Sequence, residues 1–531
     1  MRLRLASALL ALAACAGSGG PPRATDAPRP GTEPKLVVLL VIDQWPEWAF
    51  EAKRPALHAG FDRLLREGEW HIGEHPTAAT LTAVGHALIG TGVPPAQSGV
   101  LSNEWWRRDV DRLLKSVEAE DGTPTAKWLR APGLGDALAA AHTGGRAFSV
   151  SLKDRAAILP LGHAGTPIWF DTKTDSWVTL AERGPPPAWL AAWNTEHPVA
   201  AHYHDTWTPL PETPQLAGIA DDAPAEAGAR GFGPTFPHAL DTVKKPAEAI
   251  SDMPLGNDLV LDTATAVLEH EHLGGNARPD LLVVSLSAHD YIGHAWGQES
   301  WESWDAVLRL DRRLDQFLAD LDAKVGAGRW SMLVTSDHGA APLARIAHGG
   351  RMTYTQIKDA ANRAAATELG NGDWIAFSGF PTIFLSKAAL AHPKDLPAVM
   401  RKIVLALRAF PGLGRVEKTA DFAGQCDKRT GDALAICLAL DPVNSGEILY
   451  IPAAGWIMQD EDEPAATNHD SLELYDRLVP VLLLPPGRTP RATAATHAEG
   501  DRLPMTSIST IVARWLGVPP PTTLAPPAAA K

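Results

Sequence analysis

The chain has 531 residues, 45% of them apolar and 21% charged, the proportions of a folded globular protein rather than a disordered or multi-span membrane one. Its formal charge of -14, with no block of Lys or Arg, excludes a general nucleic-acid binder, because nothing offers a footprint for a phosphate backbone. An anionic substrate therefore needs a local basic site.

The first residues, MRLRLASALLALAACAGSGG, place Arg2 and Arg4 before a short apolar run that ends in small residues, the layout of a secretory signal over residues 1 to 14. Leu12-Ala13-Ala14-Cys15 resembles a bacterial lipobox, in which Cys15 becomes a lipidated mature N-terminus; the alternative is plain cleavage at an Ala-x-Ala site. Either way an exported protein is expected, periplasmic or held at the outer membrane by lipid. No other apolar stretch is long and uncharged enough to span a bilayer, so membrane attachment would be through Cys15 alone. Residues 15 to 35, rich in Gly, Pro and small polar residues, read as a flexible tether.

A catalytic domain is predicted over residues 36 to 517. LVVLLVID (36 to 43) is a continuous apolar run ending in an acid, the signature of a strand buried on both faces of a parallel sheet. RAFSVSL (146 to 152), LLVVSLS (281 to 287), SMLVTSD (331 to 337) and LVPVLLL (478 to 484) repeat it. Between them, Val307, Leu310, Leu314, Phe317 and Leu321 share one face of a charged helix, which reads as packing. The pattern predicts an α/β fold, a mostly parallel central sheet sandwiched by helices, with ligands gathered at the carboxyl ends of the strands. Residues 160 to 250, rich in Pro and Trp, and residues 343 to 470 break the rhythm and are expected to be insertions capping that edge. Cys426 and Cys437, in an exported chain, are expected to form a disulfide closing a surface loop. Residues 518 to 531 are expected to be a disordered tail.

The polar residues that close the strands carry the chemistry. Asp43 ends the first strand; Asp290 and His294 follow the third in AHDYIGHAWG, four residues apart and so on one face of a helical turn. Asp337 and His338 end SMLVTSDHG, and His469 lies in TNHDS before the last strand. Singly, each has a plainer explanation as helix cap, turn or core filler. Together, three carboxylates and three imidazoles beyond buried strands are ligands that suit catalytic zinc.

In this order, VIDQ, the Thr before AVGH, HDYIGH, SDHG and TNHD resemble the alkaline phosphatase superfamily, and the likeness runs over roughly residues 36 to 485. The resemblance implies two zinc ions, one held by Asp43, Thr82, Asp337 and His338, the other by Asp290, His294 and His469. It also implies a nucleophile. No C/S-x-P-x-R motif of the sulfatases is present, whereas the type I phosphodiesterase and nucleotide pyrophosphatase branch uses Thr in a T-x-x-N-H setting. Register against Gly85-His86 selects Thr82; Thr80, two residues earlier, is its competitor, and Thr77 and Thr91 read as turn and capping hydroxyls. A free threonine hydroxyl is almost wholly protonated at neutral pH, so it needs activation, which a metal and a helix N-terminus provide.

SLKDRAAI, followed by GHAG and WFD, is similar to the phosphate-irrepressible alkaline phosphatases. That likeness implies that Lys153, Arg155 and Asn103, the last in SGVLSNEWW, bind phosphoryl oxygens. Lys153 and Arg155 alternate, and in an extended conformation both would project from one face. Two cations repay a monoester dianion more than a diester. The expected enzyme is thus a monomeric zinc phosphomonoesterase acting on small phosphate monoesters through a phosphothreonine. A phosphodiesterase with the same residues, or a non-catalytic anion-binding lipoprotein, are the alternatives. Trp105 and Trp106 read as insertion core, and His86, Ser336 and residues 348 to 351 carry no assigned role.

Overall fold

In the computed structural model, residues 28, 31–224, 226–462, 464–488, 490–492 and 502–524 are described. The expected signal peptide, Cys15 and most of the tether lie outside them. A nine-stranded sheet forms the centre: β1 (Leu36–Ile42), β2 (Glu69–Glu74), β3 (Ala147–Ser151), β4 (Thr166–Asp171), β5 (Ser176–Thr179), β6 (Asp280–Leu286), β7 (Trp330–Thr335), β8 (Leu478–Leu484) and β9 (Arg502–Pro504). Their spatial order is β9-β2-β8-β7-β1-β6-β3-β4-β5. From β7 through β1, β6 and β3 to β4 every pairing is parallel, while β8 runs antiparallel to both its neighbours and β5 to β4.

Alternation along β1 explains why the run is apolar throughout. Leu36, Val38, Leu40 and Ile42 join a core that includes the Trp301–Leu321 helix, whereas Val37, Leu39 and Val41 join one on the opposite face with the Ile508–Leu516 helix. All seven are 0% exposed, so each contributes about 1.5–3 kcal/mol of burial. The five predicted packing residues of the long helix are buried, and Ser300 caps it by accepting from Ser303 N–H at 3.0 Å.

The two irregular regions differ in kind. Residues 166 to 179, expected to lie in an insertion, extend the main sheet as β4 and β5. Residues 343 to 470 build a separate layer: a four-stranded sheet of Ile375–Gly379, Thr382–Leu385, Ile448–Pro452 and Leu413–Lys418, covered by helices Tyr354–Leu369 and Leu396–Arg408. Its core includes Ala78, Ala79, Leu81 and Val84, so the layer grips the segment around Thr82. The Cys426–Cys437 disulfide is formed within it, but Cys437 is 0% exposed and the bridge pins a helix rather than a surface loop. At the C-terminal end, Val518 and Pro521 are buried and Leu524 packs on the core, so residues 518 to 524 are not a disordered tail; the remainder lies outside the described residues.

Candidate active site

The carboxyl ends of β1, β3, β6 and β7 converge on one edge of the sheet, and each delivers a polar residue there. Asp43 follows β1, and Asp290 and His294 lie on the Ala288–Trp296 helix after β6. Asp337 and His338 follow β7, and His469 arrives from the covering layer. They form two groups, Asp43/Asp337/His338 and Asp290/His294/His469, in each of which the potential ligand atoms lie within 4.8 Å of one another.

Both groups have the chemistry of metal sites. All three imidazoles turn Nδ1 to a backbone carbonyl: His338 to Gly339 O at 3.1 Å, His294 to Thr467 O at 3.0 Å, and His469 to Thr80 O. For His338 and His469 that arrangement fixes the tautomer and leaves Nε2 as the electron-pair donor, whereas His294 Nε2 lies 3.1 Å from Asp290 Oδ1. Asp43 Oδ1 and His338 Nε2 are buried and make no hydrogen bond, which is unusual for buried polar atoms. Burial, with Asp290 and Asp337 nearby, pushes the Asp43 carboxyl well up. Burial takes His338 down to about 3, so its imidazole is neutral at physiological pH. Against three buried carboxylates stands the ammonium of Lys153, 2.6 Å from Asp43 Oδ2 and 2.5 Å from Asp290 Oδ2. Carboxylates outnumber that ammonium, and divalent cations fit the donor set.

Thr82 opens the Thr82–Thr91 helix, 2% exposed, with Oγ1 3.5 Å from Lys153 Nζ. Gly85 and His86 explain its register. A Cβ on Gly85 would lie 2.2 Å from Asp337 O, so only glycine lets the helix seat on that strand end. His86 Nδ1 is 2.9 Å from Thr82 O and 3.1 Å from Asp337 Oδ2, and its Nε2 meets Ser285 Oγ at 2.8 Å. His86 therefore ties the helix start to the ends of β6 and β7, a role the sequence did not disclose. Thr82 lines the cavity described below; Thr80 does not, and contributes its carbonyl to His469. Thr77 accepts from Ala79 N–H at 3.1 Å and Thr91 donates to Ala87 O at 2.6 Å, as turn and capping hydroxyls do.

Lys153 and Arg155 reach the site by a different route from the one the sequence suggests. The strand stops at Ser151, Lys153 is the residue before the Asp154–Ile158 helix, and Arg155 is in its first turn, so the pair does not share the face of an extended strand. Lys153 sits inside the carboxylate cluster rather than at its rim, and Arg155 lines the cavity. Burial opposes the Lys153 ammonium, but Asp290 and Asp43 outweigh it and raise its pKa. Asn103 also lines the cavity, and its Oδ1 accepts from Ala83 N–H at 2.9 Å, which leaves its amide N–H2 as a donor. Trp105 is buried with Leu101 and Phe384, as expected of insertion core. Ser336 accepts from Trp45 N–H at 2.8 Å and donates to His338 O at 2.7 Å, and Arg351 donates to Ala465 O at 2.8 Å.

The cavity over these residues is about 560 Å³, and its lining includes residues 227 to 232 together with Gln459, Asp460, Pro464, Ala465 and His469. Backbone N–H groups of Ala227 and Gly228 donate to Ala295 O at 2.9 and 3.1 Å, anchoring the first of these stretches to the helix that bears Asp290 and His294. The chamber holds far more than a phosphoryl group, so a leaving group has room. No helix among the described residues is long and apolar enough to cross a membrane.

The type I phosphodiesterase / nucleotide pyrophosphatase family profile matches residues 37–380. A protein of Myroides odoratus named calcium-transporting ATPase is 31% identical over 500 residues, 87% of this chain and 90% of its own. Alkaline phosphatase PafA of Elizabethkingia meningoseptica is 28% identical over 507 residues, 90% of each chain. The crystal structure of wild-type PafA matches with a TM-score of 0.79 at 26% identity, covering 96% of this chain and 98% of that one.

Proposed function

Because the chain belongs to the type I phosphodiesterase / nucleotide pyrophosphatase family and is an alkaline phosphatase hydrolase, we propose that it is an exported, zinc-dependent phosphomonoesterase working through a phosphothreonine at Thr82. The observation that carries this reading is that Lys153 bridges the two groups of carboxylates and imidazoles, through Asp43 and Asp290, with Thr82 Oγ1 3.5 Å from its ammonium. Asp43, Asp337, His338 and Thr82 would hold one zinc, and Asp290, His294 and His469 the other. Two such ions supply the charge that stabilises a deprotonated threonine and the departing oxygen.

The chain's own residues do the rest. Thr82 Oγ attacks phosphorus in line with the leaving alcohol, and the backbone N–H groups of its helix terminus favour the phosphoryl anion. Lys153 places positive charge beside the nucleophile, and Arg155 and the Asn103 amide donate to the equatorial oxygens as charge develops. Water then cleaves the phosphothreonine, giving retention at phosphorus and ping-pong kinetics. The transport ATPase name of the Myroides relative is compatible with this chemistry, since release of a terminal phosphate from ATP is also phosphoryl transfer to water.

The family profile favours a second reading, diester hydrolysis on the same residues. We expect kcat/KM for p-nitrophenyl phosphate to exceed that for bis-p-nitrophenyl phosphate. Lys153→Ala should lower the monoester value by roughly 10^2-fold, as for loss of one oxyanion donor, and lower the diester value by less. A diester preference insensitive to Lys153→Ala would replace the monoesterase with the phosphodiesterase. Lipidation at Cys15 predicts that Cys15→Ala moves the protein from the membrane fraction to the soluble one; an unchanged distribution would favour the plain signal peptide.

A further inference from the structure

Gln44, next to the ligand Asp43, is 0% exposed and has a left-handed backbone, φ +57, unusual for a residue other than glycine. Its polar groups face both ligand groups. The backbone N–H donates to Asp337 Oδ1 at 3.2 Å, and the side-chain Nε2 donates to Asp290 Oδ1 at 2.8 Å. In the Asp337 carboxylate, the oxygen opposite to the one Gln44 holds is Oδ2, which lies 3.1 Å from His86 Nδ1. Gln44 thus contacts one carboxylate in each group: Asp337 through its backbone N–H, and Asp290 through its side chain, at the oxygen that also lies 3.1 Å from His294 Nε2.

The amide is held in that orientation from behind. Gln298 Nε2 donates to both Gln44 O and Gln44 Oε1 at 3.0 Å, so Gln44 Oε1 is the acceptor and its Nε2 must be the donor toward Asp290. Gln298 Oε1 accepts from Ser303 Oγ at 3.3 Å, and Ser303 Oγ accepts from Lys53 Nζ at 2.6 Å. Gln298, Ser303 and Lys53 are each 1% exposed, so the chain of donors is sealed from water. An independent feature points to the same pair. On the helix between Asp290 and His294, a Cβ on Gly293 would lie 2.1 Å from Gln44 Oε1 and 2.5 Å from Gln298 Nε2. The glycine between the two ligands makes room for the glutamines.

We propose that Gln44 is a positioning residue that sets the two metal-ligand groups relative to each other, with Gln298, Ser303 and Lys53 keeping its amide in register. This rests on the metal-centre reading above. Residues that orient metal ligands typically alter metal affinity 10- to 100-fold when replaced.

The test uses the zinc-loaded full chain, with bound zinc counted by elemental analysis and its release to a chromophoric chelator followed well below the unfolding transition. Wild type should carry two zinc ions. Gln44→Leu should release zinc at least about 10-fold faster, and Gly293→Ala, which keeps the glutamine in the sequence but pushes on its amide, should do the same. Should Gln44→Leu fail to fold, Gln298→Leu decides, with the same direction expected. Release rates equal to wild type in the folded variants, whatever their activity, would overturn the positioning role while leaving the metal centre intact. A wild-type protein that holds no zinc or other divalent ion would overturn the metal-centre reading and this inference with it.

Discussion

Thr82→Ala is expected to lower monoester turnover by roughly 10^4-fold or more while leaving the bound metal nearly unchanged, because it removes the attacking atom and spares the carboxylates and imidazoles. The helix should survive, since alanine is a good helix former and Leu81, not Thr82, occupies the capping position. Thr80→Ala is the matched control. Its hydroxyl is buried and makes no hydrogen bond, and what the site takes from Thr80 is its carbonyl, which alanine keeps. Losing that hydroxyl should change kcat/KM by no more than a few-fold, measured as initial rates on p-nitrophenyl phosphate. The reverse pattern, an inactive Thr80→Ala beside an active Thr82→Ala, would move the nucleophile by two residues and refute the register drawn from Gly85 and His86.

Removal of the metal is expected to have an effect of similar size. Chelation of the wild-type enzyme should reduce turnover by roughly 10^3-fold or more, the several kcal/mol of charge stabilisation that a Lewis acid supplies, and added zinc should restore it. The sign of the pH dependence follows from the ligands. Burial and the neighbouring Asp290 and Asp337 push the Asp43 carboxyl up, so a proton competes with metal there, and reloading should weaken as pH falls. His338, held down to about 3 by burial, does not share in that competition. Titrating apoprotein with zinc at pH 6 and pH 8 separates the cases; equal affinity at both would show that no ligand proton is displaced.

Much of this site could be read before the fold was known, and the reasons are local. Continuous apolar runs such as LVVLLVI and LVPVLLL announce strands buried on both faces, and the polar residue ending each run must lie at the sheet edge. The seven expected ligands fall within a few residues of such ends, apart from Thr82 and His469, whose placement depended on family resemblance. What escaped notice was carried by contacts between distant segments. Nothing local pairs Gln44 with Gln298, 254 positions away, or marks Gly85 and Gly293 as close approaches rather than ordinary small residues. TPIWFD and SWVT are short and interrupted by Pro and Trp, so two strands of the main sheet looked like insertion. For Lys153 and Arg155 the residue types were informative, but their alternation suggested a strand where the backbone turns into a helix. The disulfide was legible because export leaves two cysteines eleven residues apart, although not the burial of one of them.

Acid quenching during steady-state monoester turnover, followed by peptide mass spectrometry, tests the central claim most directly. The proposed mechanism predicts one phosphoryl group, carried by the peptide around PTAATLTAVGH and located on Thr82. A phosphoryl group on Thr80, or turnover with inversion at phosphorus and no phosphorylated residue, would contradict it.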